Sequence, residues 1–307
     1  MFRYRPVTVS ICLVLFLIVT LASRSLLGAE GKLLVFGRLS ANPVGAIRDR
    51  QGFVDYIAKK LAPLGITGGK ILVVDKMYLL ARAIKEGKVD FFHDTVVPTM
   101  VVSRWSGSIP ILRQWKYGEA EYSSVILAKK DSGINTLSDL KGKVVAFDEP
   151  HSTSAHILPR MLLAENNLKL VQVIAPGEAK PDAAGFVYGS DGSSPNFLIT
   201  GRVDAAATSF REFEELRPEV KKTLKVIGRT RSVPRLLISV RKDLDSKIVT
   251  ALREVLLSMD KDSEGQAVLK KQQRTAKVDE IPPVSLQHLK DIERFIFSTL
   301  GKQVDSW

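Results

Sequence analysis

From Lys32 onward, short apolar runs alternate with stretches whose apolar residues recur every three or four positions. "KLLVFGRL" (32–39), "KILVVD" (70–75) and "VDFFHD" (89–94) are apolar and bounded by turn residues, so they predict buried strands. Between the first two, Phe53, Ile57, Leu61 and Leu64 fall on one helical face, closed by Pro63 and Gly65. "MYLLARAIKEGK" (77–88) predicts a second helix, ended by Gly87. Strands separated by helices in this way imply a parallel sheet covered on both faces.

The pattern starts again at "KVVAFDEP" (143–150). It continues through a helix after Ser154, then "LVQVIA" (170–175), "AAATS" (205–209), the acidic helix "FREFEEL" (210–216) and "LKVIG" (224–228). Two extended apolar segments, "YSSVILAKKDSG" (122–133) and "RSVPRLLISVRKDL" (231–244), read as crossings between the halves. The amphipathic stretches "KIVTALREVLLSMDKD" and "SLQHLKDIERFIFSTL" are expected to return and pack on the first half. The expected architecture is α/β: one discontinuous lobe of residues 30–124 plus 236–307, and a second of 125–235. A small ligand would sit in the cleft between them, with hinge closure around it.

The N-terminus follows a different logic. Arg3 and Arg5 precede an apolar run from Ile11 to Ala22 and then small residues, the order of a secretory signal over residues 1–29. The run falls short of the roughly 20 residues that span a bilayer comfortably. Cleavage near Ala29 is expected, although Leu27 stands where a small residue is preferred; an uncleaved membrane anchor is the alternative. Either way the protein is placed in the periplasm, touching the membrane only through this segment. Cys12, the sole cysteine, lies inside the run, so the exported part has neither disulfides nor a catalytic thiol.

The chain of 307 residues is 45% hydrophobic and 25% charged, as a globular protein is, and no internal repeat is evident. Its net charge of +12 loses three arginines with residues 1–29, leaving +9. The basic residues are scattered, and there is no zinc-finger spacing or aromatic-basic RNA motif, so nucleic acid is not expected, and a basic surface that favours anionic solutes or an anionic membrane face fits better.

One stretch carries most of the chemistry. In "FDEPHSTSAHILPRMLL" (147–163), Ser152, Thr153 and Ser154 stand at a helix start. Such a start presents unpaired N–H groups and the positive end of a dipole, suited to phosphate-type anions. Hydroxyls add groups that donate as well as accept. The simpler reading is an N-cap at Ser152 or Ser154. Pro159 removes the N–H that would bond the Ala155 carbonyl, so the first turn should be irregular.

"AEYSSVILAKKDSGINTLSDLKGKVVAFDEPHSTSAHILPRMLL" (120–163) resembles the phosphate/phosphite/phosphonate substrate-binding proteins of ABC importers. In that family a tyrosine-bearing hinge strand precedes "DSGI…L.DLKGK", a strand, and a Ser-Thr-Ser turn with a proline five residues on. The resemblance extends more loosely over about residues 32–280, including "GKVDFFHD" and "GRVDAAATS". It implies a type II periplasmic-binding-protein fold and ligand contact by the Ser152–Ser154 turn and Tyr122. It further implies a monomer without cofactors that hands a small oxyanion to a permease and ATPase. A sensor presenting its liganded form to a membrane histidine kinase is the alternative partner reading.

Asp94 and Thr95 follow a strand and should lie at the cleft edge. There Asp94 either accepts from a protonated ligand oxygen or caps the helix beginning near Val96. Where some relatives have a histidine in the second lobe, this chain has Ser190 or Asp191; where some have a tyrosine after the second strand, it has Met77 with Tyr78 adjacent. His151 and Glu149 flank the turn. Asp94 and Asp191 together would favour a protonated or amine-bearing ligand.

No HExxH, GxSxG or Walker loop is present, and His151 and His156 are not at metal-pair spacing. Neither catalysis nor a metal is therefore expected. A Ser154–His151 pair has no acid partner, His93 should face away from Asp94, and Asp204 reads as a turn residue.

Overall fold

The structure, a computed structural model, describes residues 31–174 and 177–307. The N-terminal apolar run and Cys12 lie outside them. β1 (Lys32–Leu39) buries Leu34 and Phe36 and leads into α1 (Pro43–Lys60). Asn42 caps α1, its side-chain oxygen accepting from the N–H of Gly45 at 3.0 Å, and Pro43 takes the first helical position. Phe53, Ile57 and Leu61 are buried as their spacing predicts, but Leu64 is 40% exposed. The chain tightens into a 3₁₀ turn over Ala62–Leu64, which rotates that side chain off the core face before Gly65 closes it at φ +81°.

β2 (Ile66–Val74), α2 (Met77–Lys85), β3 (Phe91–Asp94), α3 (Val96–Ser106) and β4 (Ile109–Gln114) complete the first pass. Together with β13 (Leu236–Val240) and β14 (Val278–Asp279), the strands form a sheet ordered β14-β4-β13-β3-β1-β2. β2 and β3 pair parallel with β1 on either side, and β4 runs in the same sense. β13 arrives from the other sheet in the opposite sense and pairs antiparallel with β3 and β4. The expectation of a wholly parallel sheet is thus corrected by the crossing strand. β4 was not among the predicted strands.

The second sheet is built the same way. β6 (Ser124–Lys129), β7 (Val144–Phe147), β8 (Leu170–Gln172), β9 (Ala184–Tyr188), β10 (Ala205–Ser209) and β11 (Leu224–Arg229) lie in the order β11-β6-β10-β7-β9-β8. β8, β9, β7 and β10 are parallel. The crossing strand β6 runs antiparallel to β10 and β11, so "LKVIG" is an antiparallel edge strand. Between the sheets, β5 (Glu121–Tyr122) pairs with β12 (Val233–Pro234) in a two-stranded ribbon.

The two sheets share a device that was not recognised as a repeat. In "GKVD" and "GRVD", Gly87 and Gly201 sit at φ +71° and +73°. Asp90 then donates its N–H to the Val35 carbonyl at 2.8 Å and accepts from the Val35 N–H at 2.8 Å. Asp204 does the same with Val144, at 3.0 and 2.8 Å. Each aspartate therefore pins the start of one parallel strand to its neighbour, and Asp204 is structural.

Helices α5 (Ser194–Ile199), α6 (Phe210–Glu214) and α7 (Pro218–Lys221) belong to the second half, and the C-terminal helices α8 (Ser246–Ser258), α9 (Ser263–Lys271) and α10 (Pro283–Phe295) return to the first sheet. Leu252 and Leu256 pack with Phe53 and Ile57 on one side, and Leu289 and Ile292 with α2 and α3 on the other. Among the described residues, no helix is long and apolar enough to cross a membrane.

Candidate functional site

β3 and β7 each lead into polar residues that open a helix, and the two ends meet. After β7 the chain turns through Glu149–Ser152 into a π-helical turn, Thr153–Ile157, that continues as α4 (Leu158–Glu165). Pro159 accounts for the wide turn. It cannot serve the Ala155 carbonyl, which instead accepts from the N–H of Asp148 at 3.2 Å, while the Ile157 N–H reaches back to the Ser152 carbonyl at 3.0 Å. Ser152 is the N-cap, its hydroxyl oxygen accepting from the Ala155 N–H at 3.1 Å. The N–H groups of Thr153 and Ser154 are those that such a start leaves for other partners.

Thr153 is buried and reaches across to the first sheet's side. Its hydroxyl oxygen accepts from the Val97 N–H at 3.0 Å and lies 3.1 Å from the Thr95 hydroxyl. Thr95 holds the N-cap position of α3 but makes no cap bond of its own, so Thr153, which follows β7 of the second sheet, caps α3. Asp94 is turned to the same side. One of its oxygens accepts the Thr95 N–H at 2.7 Å and the other meets the Arg38 guanidinium at 3.5 Å.

His93 points the opposite way, as alternation along a strand requires. It is buried against Phe36 and Phe53, bonds Gln114 through Nδ1 at 2.7 Å, and burial lowers its pKa well below the usual value.

Tyr122 lies on the ribbon beside this pair, buried, with the Arg235 guanidinium 4.2 Å from its ring centre. Burial raises the phenol to about 12 although Arg235 and Thr153 pull it down, so it is a neutral donor at neutral pH. Ser154 is half-buried. The remaining predicted residues stand apart. His151 pairs with Glu149 at 3.1 Å and has no bond to Ser154, which leaves the hydrolase-like pair unformed. Asp191 is exposed, in a loop fastened at Gly192 and Ser194 by the buried Asp148 at 2.9 Å each. Tyr78 is half-exposed on α2, with Met77 buried beside it.

Several residues at the site were missed from sequence. Arg38 lies at the end of β1 just as Asp94 ends β3, and that strand-end position was the available signal. Lys116 and Tyr117, in the loop after β4, and Arg235, after β12, gave no periodic or motif signal. Tyr117 carries a left-handed backbone, φ +59°, with its N–H bonded to the Gln273 carbonyl at 3.1 Å. Behind the turn, His156 is fully buried between Phe147 and Tyr188. Its Nδ1 lies 2.6 Å from the Pro150 carbonyl, which can only accept, so Nδ1 carries the proton. Its Nε2 then accepts from Tyr188 at 3.2 Å and Arg160 at 3.3 Å. Burial pushes His156 down to about 3, and the neutral ring braces the turn. Among the described residues, no group of three His, Cys, Asp or Glu side chains could hold a metal.

This geometry can hold an oxyanion between two helix starts. The family of ABC-transporter phosphonate periplasmic substrate-binding proteins matches residues 38–282. The phosphonates-binding periplasmic protein of Escherichia coli K12 is 25% identical over 267 residues, covering 84% of this chain and 75% of that protein. Among solved structures, XAC2383 from Xanthomonas citri bound to ATP is similar with a TM-score of 0.79 at 24% identity, covering 89% of this chain and 98% of that one. PhnD1 from Prochlorococcus marinus in complex with methylphosphonate is similar with a TM-score of 0.62 at 17% identity, covering 87% and 99%. These likenesses show the fold, that of the type II periplasmic binding proteins. Its relatives are binding components rather than enzymes. The chain belongs to the periplasmic phosphonate substrate-binding proteins of ABC transporters.

Proposed function

We propose that the protein captures a small tetrahedral oxyanion of the phosphonate, phosphite or phosphate class and delivers it to an ABC permease and ATPase. The ligand is held between two lobes, residues 30–124 with 236–307 and residues 125–235, that close about the β5–β12 ribbon. One observation carries this reading: the Thr153 hydroxyl occupies the N-terminus of α3, where it accepts from the Val97 N–H. A helix start that takes a hydroxyl oxygen from the facing lobe will take a phosphoryl oxygen in its place. The N–H groups of Thr153 and Ser154 and the hydroxyls of Thr95, Ser154 and Tyr122 then surround the remaining oxygens. Ser152 acts mainly by capping. Asp94 accepts from a protonated ligand oxygen only by loosening its hold on the Thr95 N–H, so its resting role is to aim Arg38. His151, Asp191 and Tyr78 are left to the surroundings.

Titration calorimetry with phosphate, phosphite and methylphosphonate tests the reading. At least one should bind with a 1:1 stoichiometry. Thr153→Val should weaken it tenfold or more, and Thr153→Ser should restore most of the affinity. Absence of binding to all three, or full affinity in Thr153→Val, would remove the proposed ligand or the proposed site.

A further inference from the structure

The cations beside this turn exceed what one small oxyanion requires. Arg50, on α1, is 6% exposed, yet its side chain has no hydrogen bond or ion pair among the described residues, and its buried Nε has no partner. A buried N–H without an acceptor is costly, and a ligand in the adjoining cavity would supply one. Arg38 beside it meets a single carboxylate, Asp94, at 3.5 Å. Both arginines line a cavity of about 750 Å³ between the end of β1, the first turns of α1, and α9 with Gln272 and Gln273.

Lys116, half-buried, likewise forms no ion pair among the described residues. Burial first, and then the charges of Arg235, Arg38 and Arg50, lower it to about 8, so it is still mainly protonated at neutral pH. The nearby acids do not balance the set. Asp49 is paired with Arg48 at 3.1 Å, and Glu119 is shared by Arg211 at 3.4 Å and Arg235 at 3.8 Å.

We infer that Arg38 and Arg50 form a second anion subsite beside the Thr95–Thr153 turn, and that the preferred ligand carries at least two phosphoryl-type groups. This rests on the oxyanion reading and narrows it to a substrate class. The two subsites are one carboxylate apart: Asp94 binds Arg38 with one oxygen and the Thr95 N–H with the other. A single diphosphate-like ligand can therefore span both. Helix N–H groups and hydroxyls take one end, while guanidinium forks, which match phosphoryl oxygens in pairs, take the other.

Calorimetry on the purified protein at fixed ionic strength, comparing phosphate, methylphosphonate, pyrophosphate and tripolyphosphate, decides the matter. Pyrophosphate or tripolyphosphate should bind at least tenfold more tightly than phosphate. Arg50→Gln should cut that preference tenfold or more. Arg38→Gln, at a less buried position, should cut it in the same direction if the first variant folds poorly. Equal affinity for phosphate and pyrophosphate overturns the second subsite and leaves the oxyanion reading standing. A preference unchanged in both variants overturns it as well. Equally tight binding of citrate would reduce the effect to net charge and also overturn it. Binding of none of the phosphorus anions removes both readings together.

Discussion

Thr153 caps α3 from the facing sheet: its hydroxyl oxygen accepts the Val97 N–H. In the proposed function a ligand oxygen would take that place and the hydroxyl would donate to it, so the buried N–H would be paired in either state. His156 does the opposite work, remaining neutral so that the turn stays put. Its pKa of about 3 lies far below the ordinary histidine value, so the unfolded chain binds a proton that the folded protein refuses. Stability contributed by the neutral ring is therefore intact above about pH 6.5 and is lost as pH falls towards 3, at about 1.4 kcal/mol per pH unit. Urea midpoints measured across that range should fall with acid, and His156→Gln should flatten the profile while lowering stability at neutral pH. A profile of equal slope in that variant would assign the acid sensitivity elsewhere. The Ser-Thr-Ser turn was legible because capping and anion binding use the same residue types. Arg50 was not, because "RDRQG" on a helix reads as a solvated face until the packing buries it.

At the scale of elements, most of the parallel strands and their helices follow directly from apolar spacing. β4 and β9 did not, since "IPILRQ" and "AGFVY" are short and lack flanking periodicity. Strand direction was also hidden. β6 and β13 are apolar like their neighbours, and only the sheet to which each crosses fixes its sense. Close packing of α1 on β2 depends on Gly69, where an added Cβ would lie 2.6 Å from Val54 Cγ1 and 3.0 Å from its backbone carbonyl. Because backbone cannot step aside as a flexible side chain can, Gly69→Ala should destabilise by about 1–3 kcal/mol. Chemical denaturation checks this directly; a change below about 0.5 kcal/mol would mean that α1 shifts freely.

For the whole molecule, the contact between the halves has both a polar and an apolar part. Ile157 and Leu158 from the second half share one core cluster with Val96, Val97, Leu289 and Ile292 from the first. The contact between the halves therefore buries apolar surface as well as joining the two helix starts. A ligand that binds only the folded form should stabilise it by about 2.7 kcal/mol at a hundredfold excess over Kd. Thermal unfolding should then shift upward by several degrees with the bound oxyanion and not at all with chloride. An equal shift with chloride would indicate a general salt effect.

The sequence by itself determined most of the strands and helices and where a helix start meets hydroxyl side chains. These are local properties, set by spacing, capping and composition within a few residues. Tertiary structure alone decided strand direction, the pairing of Thr153 with α3, and the gathering of Arg38, Arg50, Lys116 and Arg235. Those depend on burial and charge between residues distant in the chain, and no local pattern records which distant side chains will share one dielectric environment.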